Sequence, residues 1–275
     1  MTIIERGSGT SLILIPGLQG RWEYVEPTVN ALSRTFRVLT FSLAGERGWR
    51  EGFDPERGLD NYVDQVLAII ERTRVKRPVI CGISFGGLVA IRFAATHPEI
   101  TGALVLASTP GPQWRVRPRH LLYARVPLIF GPLFLAETPF RLRAELLSSC
   151  PSGRDRRRFL FWQLRTLLMA PLSVRRMAYR AQLMTAINLL DDCARISAPT
   201  LVVTGEPQLD HVVPVTGTSE YTRLIRGART AVMSRTGHLG SITRPEEFLR
   251  ILRDFLSVVL AGDVRLEIGW EAHDA

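Results

Sequence analysis

The stretch Pro78 to Gly87, PVICGISFGG, decides the architecture of this chain. Its first half, Pro78 to Gly82, is a short apolar run and reads as a buried strand. The helical pattern Gly86 to Thr96 follows almost at once, so the chain must turn sharply at Ser84. A serine between two glycines, in Gly82-Ile83-Ser84-Phe85-Gly86, is what such a strand-to-helix turn requires. The turn lifts the serine hydroxyl clear of the strand end, and the glycines let neighbouring backbone approach closely around it.

The same punctuation repeats outward from this turn. Ser11 to Ile15, Arg37 to Ser42, Ala103 to Ala107, Thr200 to Thr204 and Thr230 to Met233 are further short apolar or β-branched runs bounded by Gly, Pro and Ser. Between them lie helical patterns at Val25 to Ser33, Leu59 to Arg74 and Pro245 to Leu260. Strands alternating with helices predict an α/β fold, a doubly wound and mostly parallel sheet covered on both faces.

One block interrupts the alternation. Residues 111–190 hold no convincing strand but four helical segments: His120 to Ala136, Phe140 to Cys150, Arg154 to Ala170 and Ser173 to Leu190. In the third, Leu160, Leu164, Leu167 and Leu168 share a face; in the fourth, Met177, Ala181, Met184 and Ile187 do. These faces are expected to pack on one another or on the loop edge of the sheet, where open α/β sheets bind ligands. The reading is a helical lid, 111–190, inserted into a core made of 1–110 and 191–275.

Composition bounds the function. With 275 residues, 46% of them hydrophobic, the chain buries a large core without staples. Its three cysteines, Cys81, Cys150 and Cys193, have neither disulfide-framework nor zinc-site spacing, which points to a reducing, cytoplasmic location. The opening MTIIERGSGT does not read as a secretory signal. Leu121 to Phe140, the most apolar stretch, is broken by Arg125, three prolines, Gly131 and Glu137, so no transmembrane segment is expected. Net charge is +9, and residues 111–190 carry 14 arginines against Glu137, Glu145 and Asp155, leaving −2 for the rest of the chain. Such a segment attracts anions at long range, or is simply a set of solvated helix faces. No nucleic-acid-binding motif accompanies it, and no specific nucleic-acid partner is expected.

A serine hydroxyl needs a base within hydrogen-bond reach, and the base needs a third group to orient it. His238, in RTGHLG, follows the last expected strand and so lies at the same sheet edge as Ser84. His97 falls at a helix end, His120 in the insertion, His211 in a loop and His273 in the tail. For the acid, Asp210 in GEPQLDHVVP follows the strand Thr200 to Thr204 and precedes the histidine; Glu206 is its rival. Ser108 and Thr109 occupy the other place where an acid could stand. Donors for a developing oxyanion would be the backbone N–H of Phe85 and, from Pro16-Gly17-Leu18-Gln19-Gly20, that of Leu18.

With PGLQG, GISFGG, LDHVVP and TGHLG in this order, the chain resembles serine hydrolases of the α/β-hydrolase fold from about Thr10 to Leu260. Pro16-Gly17 stands where such hydrolases often carry His-Gly. The resemblance implies Ser84, Asp210 and His238 as a triad, with Leu18 and Phe85 as the oxyanion hole. It implies hydrolysis of a carboxylic ester or thioester through an acyl-enzyme on Ser84. Trp22, Phe85, Leu88, Leu239 and the leucines of the insertion suggest a hydrophobic acyl site. The arginines there suit an anionic leaving group such as coenzyme A or an acyl carrier protein. The same residues would also serve lactone or C–C bond hydrolysis or acyl transfer, and a catalytically silent ligand-binding receptor is the non-enzyme alternative. A serine at this turn excludes the carboxylate-nucleophile relatives of the fold. No metal or dinucleotide motif is present, so no cofactor is expected.

Overall fold

The computed structural model describes residues 2–46 and 52–271, with side chains as far as Val259. In chain order the core begins β1 (Ile3–Arg6), β2 (Ser11–Ile15), α1 (Glu26–Leu32), β3 (Arg37–Phe41), α2 (Asp60–Thr73), β4 (Val79–Ile83), α3 (Phe85–Thr96) and β5 (Ala103–Ala107). Four helices then follow without a strand: α4 (Pro118–Arg125), α5 (Pro127–Ser149), α6 (Gly153–Met169) and α7 (Val174–Ala186). The alternation resumes with α8 (Leu190–Arg195), β6 (Thr200–Thr204), α9 (Val215–Ser219), α10 (Tyr221–Leu224), β7 (Arg229–Val232), α11 (Gly240–Thr243) and α12 (Pro245–Glu271). The seven strands form one sheet in the order β1-β3-β2-β4-β5-β6-β7. Only β1 runs antiparallel, against β3. The other neighbours pair in parallel.

Continuous apolar strands follow from burial on both faces. Ile13, Ile15, Ile80, Leu104, Leu106 and Val202 point to one side and pack with Val66 and Ile69 of α2, Phe93 of α3 and Cys193 of α8. Their chain neighbours Leu12, Leu14, Val79, Cys81, Val105 and Val203 point to the other, against Val29 and Leu32 of α1 and Phe248 and Leu252 of α12. All five expected parallel strands from Ser11 to Thr204 form within a residue of their sequence boundaries, and the last covers Arg229–Val232. The sequence did not announce β1. Four residues, three of them half-buried and Glu5 exposed, give too short a pattern, and their order comes from pairing Ile3 with Phe41 and Arg6 with Val38.

The helical block differs from expectation in two ways. Its first break falls at Val126, not near Pro139, because a residue before proline is pushed out of the helical region; Val126 has φ −129° and ψ 64°, and Pro127 opens α5. Pro132 and Pro139 lie inside α5, which continues through both. The fourth segment stops at Ala186, and Leu190 already belongs to α8.

The leucine face of α6 also does not pack inward: Leu160, Leu164 and Leu168 are exposed, and Leu167 alone of the four lines a cavity. The rotation of α6 is set by its other side. Thr166 is buried, and the Tyr24 hydroxyl donates to the Ala170 carbonyl just past the helix end, at 3.0 Å. The apolar face of α7 does turn inward, with Met177 and Met184 buried.

Among the described residues no helix is long and apolar enough to cross a membrane. The three cysteines are all buried and free.

Candidate active site

Ser84 stands between β4 and α3 with φ 53° and ψ −117°, a strained geometry for a residue with a side chain. Its N–H donates to the Ala107 carbonyl at 2.8 Å, which pins the turn to β5. Glycine at 86 is obligatory, since a Cβ there would fall 2.3 Å from the Ile15 carbonyl oxygen. The turn therefore sits directly against the end of β2, where the loop carrying Gly17 and Leu18 begins.

Parallel strands bring the remaining groups to this carboxyl edge. His238, in the loop after β7, places Nε2 3.1 Å from Ser84 Oγ. Its Nδ1 lies 3.4 Å from Oδ2 of Asp210, in the loop after β6. Asp210 Oδ1 accepts the N–H groups of Val212 and Val213 at 2.9 and 2.8 Å, which fixes the carboxylate. The rival Glu206 is turned elsewhere and accepts the Arg235 N–H at 2.8 Å. Burial opposes charge on both groups of the pair. For Asp210 that penalty is outweighed by His238 and the two backbone donors, and its carboxyl is held below the usual range. For His238 the Asp210 charge and hydrogen bond prevail over burial and raise the imidazole above its ordinary value. Such a relay can take a proton from the serine hydroxyl and deliver it to a departing group.

Phe85 is the first residue of α3, so its N–H belongs to the open, positive end of that helix. Gly17 abuts Ser84, a Cβ there lying 3.5 Å from that of the serine, and Leu18, the next residue of the loop, lines the same cavity as Ser84.

Two residues that sequence reasoning missed hold this assembly from the helical block. Arg180 on α7 is fully buried; it donates to the Leu18 carbonyl at 3.0 Å and to Glu46 at 2.7 Å. Gly20, at φ +75°, leaves room for it, since a Cβ would come within 2.1 Å of the guanidinium. The available signal was an arginine three residues after Met177, inside the apolar stripe of its helix. Arg180→Met leaves Glu46 buried and unpaired, and is expected to lower stability to urea by about 3–5 kcal/mol. A loss below about 1 kcal/mol would show that the pair holds nothing together.

Glu145 on α5 is also fully buried, and its Oε1 accepts the Leu239 N–H at 2.7 Å, next to the histidine. Among the described residues its Oε2 has no donor within hydrogen-bond distance. Burial, against the pull of the Gly237 and Leu239 N–H groups and the His238 charge, pushes this carboxyl from 4.5 up to about 7. Because the raised value favours the protonated form in the folded state, stability is fully present below about pH 4.5 and falls as pH rises towards 7. Glu145→Gln is therefore expected to raise the melting temperature relative to wild type at pH 8 but not at pH 4, by thermal unfolding. The opposite pH order would remove this assignment. The only signal in the sequence was scarcity: Glu145 is one of three acids in a block with 14 arginines.

The hydroxyl and imidazole open into a cavity of about 420 Å³, roofed by the helical block through residues such as Val116, Phe134, Leu142 and Met177. Three expectations for its wall need correction. Phe85 and Leu88 point into the core, where the Phe85 ring meets Tyr62 edge-on at 5.3 Å, and Trp22 lies under the Arg6 guanidinium. Leu239 does line the cavity, as do Leu18, His120 and His211. Of the other histidines, His97 stacks on Phe93 at the end of α3, and His273 lies outside the described residues. The charged lining consists of Arg117 and Arg141, with no Asp or Glu. No group of His, Cys, Asp or Glu side chains suited to a metal occurs among the described residues.

Comparison with known proteins agrees with this architecture. A pyrrolizixenacetamide deacetylase of Xenorhabdus hominickii is 27% identical over 269 residues, 91% of this chain and 92% of its own. A poly(3-hydroxyalkanoate) depolymerase of Ectopseudomonas oleovorans is 27% identical over 266 residues, covering 90% of this chain and 84% of that protein. The crystal structure of an enol-lactonase from Burkholderia xenovorans superposes with a TM-score of 0.77 at 22% identity, over 93% of this chain and 96% of that one, a likeness of fold. Residues 12–251 match the model of the alpha/beta hydrolase family, and the chain belongs to that family, as an enzyme of the hydrolase class.

Proposed function

We propose that the chain is a serine hydrolase that cleaves a carboxylic ester or thioester with a hydrophobic acyl group. The observation that carries this reading is the Ser84, His238 and Asp210 relay opening into a largely apolar cavity. Ser84 Oγ attacks the acyl carbon while its proton passes to His238 Nε2. The N–H groups of Phe85 and Leu18 receive the oxyanion, and Asp210 holds the imidazolium. Collapse expels the alcohol or thiol with that proton. Water, deprotonated by the same imidazole, then releases the acid and restores Ser84.

The block 111–190 acts as a lid, since it supplies the cavity roof and, through Glu145 and Arg180, touches both loops that flank the serine. Arg117 and Arg141 in an acid-free lining support a negative charge on one side of the substrate. An anionic leaving group, such as coenzyme A or an acyl carrier protein, fits that charge. Three free, buried cysteines support a cytoplasmic setting.

A panel of neutral esters, acyl-coenzyme A thioesters, lactones and 1,3-diketones tests the reading. Turnover of esters or thioesters with a burst of alcohol or thiol release is expected. Turnover confined to lactones or diketones would replace the ester assignment by ring-opening or C–C cleavage. Binding of these compounds without turnover would make the chain a receptor. Thioester turnover that ignores ionic strength would dismiss the anionic carrier.

A further inference from the structure

Among the described residues the outward face of α6 has no partner. Leu160, Phe161, Leu164 and Leu168, spaced to share one side of the helix, are 53–73% exposed, and Met169 beyond them is 73% exposed. Large apolar side chains left in water over two helical turns mark a contact surface. What surrounds the stripe defines the contact. Arg154, Arg157, Arg158 and Arg165 are all exposed on the same helix, whose one acid is Asp155. The other two acids of the block do not neutralise them, since Glu137 is engaged by Arg119 and Glu145 is buried against Leu239.

This charge pattern selects among occupants. A second copy of the chain docked by two-fold symmetry would bring the same arginine set against itself. A neutral apolar partner would leave four guanidinium groups at the rim without counter-charge. An anionic lipid surface meets both demands: leucine and phenylalanine enter the acyl boundary, while the arginine stems lie along it and their heads reach phosphates.

We infer that α6 docks the protein on membranes bearing anionic phospholipid headgroups, with the Leu160–Leu168 stripe buried at the lipid interface and Arg154, Arg157, Arg158 and Arg165 on the phosphates. The helix lies in the plane of the surface and does not cross it. Leu167 and Gln163, on the inner side of α6, line the cavity, so docking sets the helix between the lipid and the candidate site. This inference does not depend on the reaction proposed above.

Vesicle flotation with the full chain tests it, using vesicles of phosphatidylcholine alone or mixed with phosphatidylglycerol. Binding to the phosphatidylglycerol vesicles is expected to exceed that to phosphatidylcholine by about tenfold or more, and to fall at high salt. Phe161→Asp with Leu168→Asp, and separately Arg157→Glu with Arg158→Glu, should each reduce binding about tenfold. All four positions are exposed, and cooperative thermal unfolding confirms that each variant is folded. Absence of wild-type binding, equal binding to both vesicle types, or retention of binding by the folded variants would each overturn the inference. So would a wild-type dimer in solution that Phe161→Asp dissociates, because a second copy would then cover the stripe.

Discussion

Ser84→Ala is expected to lower kcat by about four to six orders of magnitude while leaving the fold intact. The size follows from what the substitution removes. In the proposed mechanism it deletes the attacking oxygen, and His238, 3.1 Å away, loses the group it would deprotonate. What survives is binding in the cavity and polarisation of the carbonyl by the Phe85 and Leu18 N–H groups. Those donors alone leave a residual rate about three to four orders of magnitude above water in enzymes of this design. Stability should change little, because alanine keeps the same Cβ at φ 53° and the hydrogen bond lost is the one to His238. A variant with wild-type turnover would remove Ser84 from the reaction.

The second large effect belongs to Asp210→Asn, expected to cost about four orders of magnitude in kcat. The amide keeps the volume of the carboxylate and can still accept the Val212 and Val213 N–H groups through one oxygen. It can no longer hold the Nδ1 proton or stabilise the imidazolium. The pH profile separates this role from a structural one. His238 is raised above its ordinary value chiefly because Asp210 overcomes the burial penalty. A raised histidine is protonated and inactive as a base until the pH passes its elevated value. The acid limb of kcat/KM in wild type should therefore lie above the ordinary histidine range, and it should move to lower pH in Asp210→Asn. Loss of rate without that movement would point to a displaced loop.

The fold was legible where its signals are local. Ser84 was fixed by a five-residue turn between a strand and a helix, and His238 and Asp210 by their places after strands whose apolar runs are unambiguous. Once the strands are parallel, topology carries their ends to one edge, so three positions distant in sequence converge without any pairwise signal. The loop of Gly17 and Leu18 reaches that edge for the same reason, at the end of β2.

What escaped depends on helix rotation and on tertiary contact. Leu160, Leu164 and Leu168 share a face by spacing, but spacing does not say which face turns inward; the Tyr24 and Thr166 side of α6 decided it. Phe85 and Leu88 follow Ser84 in sequence yet belong to the core, where the Phe85 ring meets Tyr62 of α2. Arg180 and Glu145 act across more than 90 residues, at Leu18 and Leu239, and nothing local distinguishes them from solvated neighbours.

The most direct test of the central claim is labelling with a fluorophosphonate probe followed by peptide mapping of the adduct. An activated serine is the property that the relay confers and that an inert fold lacks. The account expects one adduct, on Ser84, formed rapidly in wild type and strongly slowed when His238 is replaced by Ala. An unlabelled folded protein, or an adduct on any other residue, would contradict it.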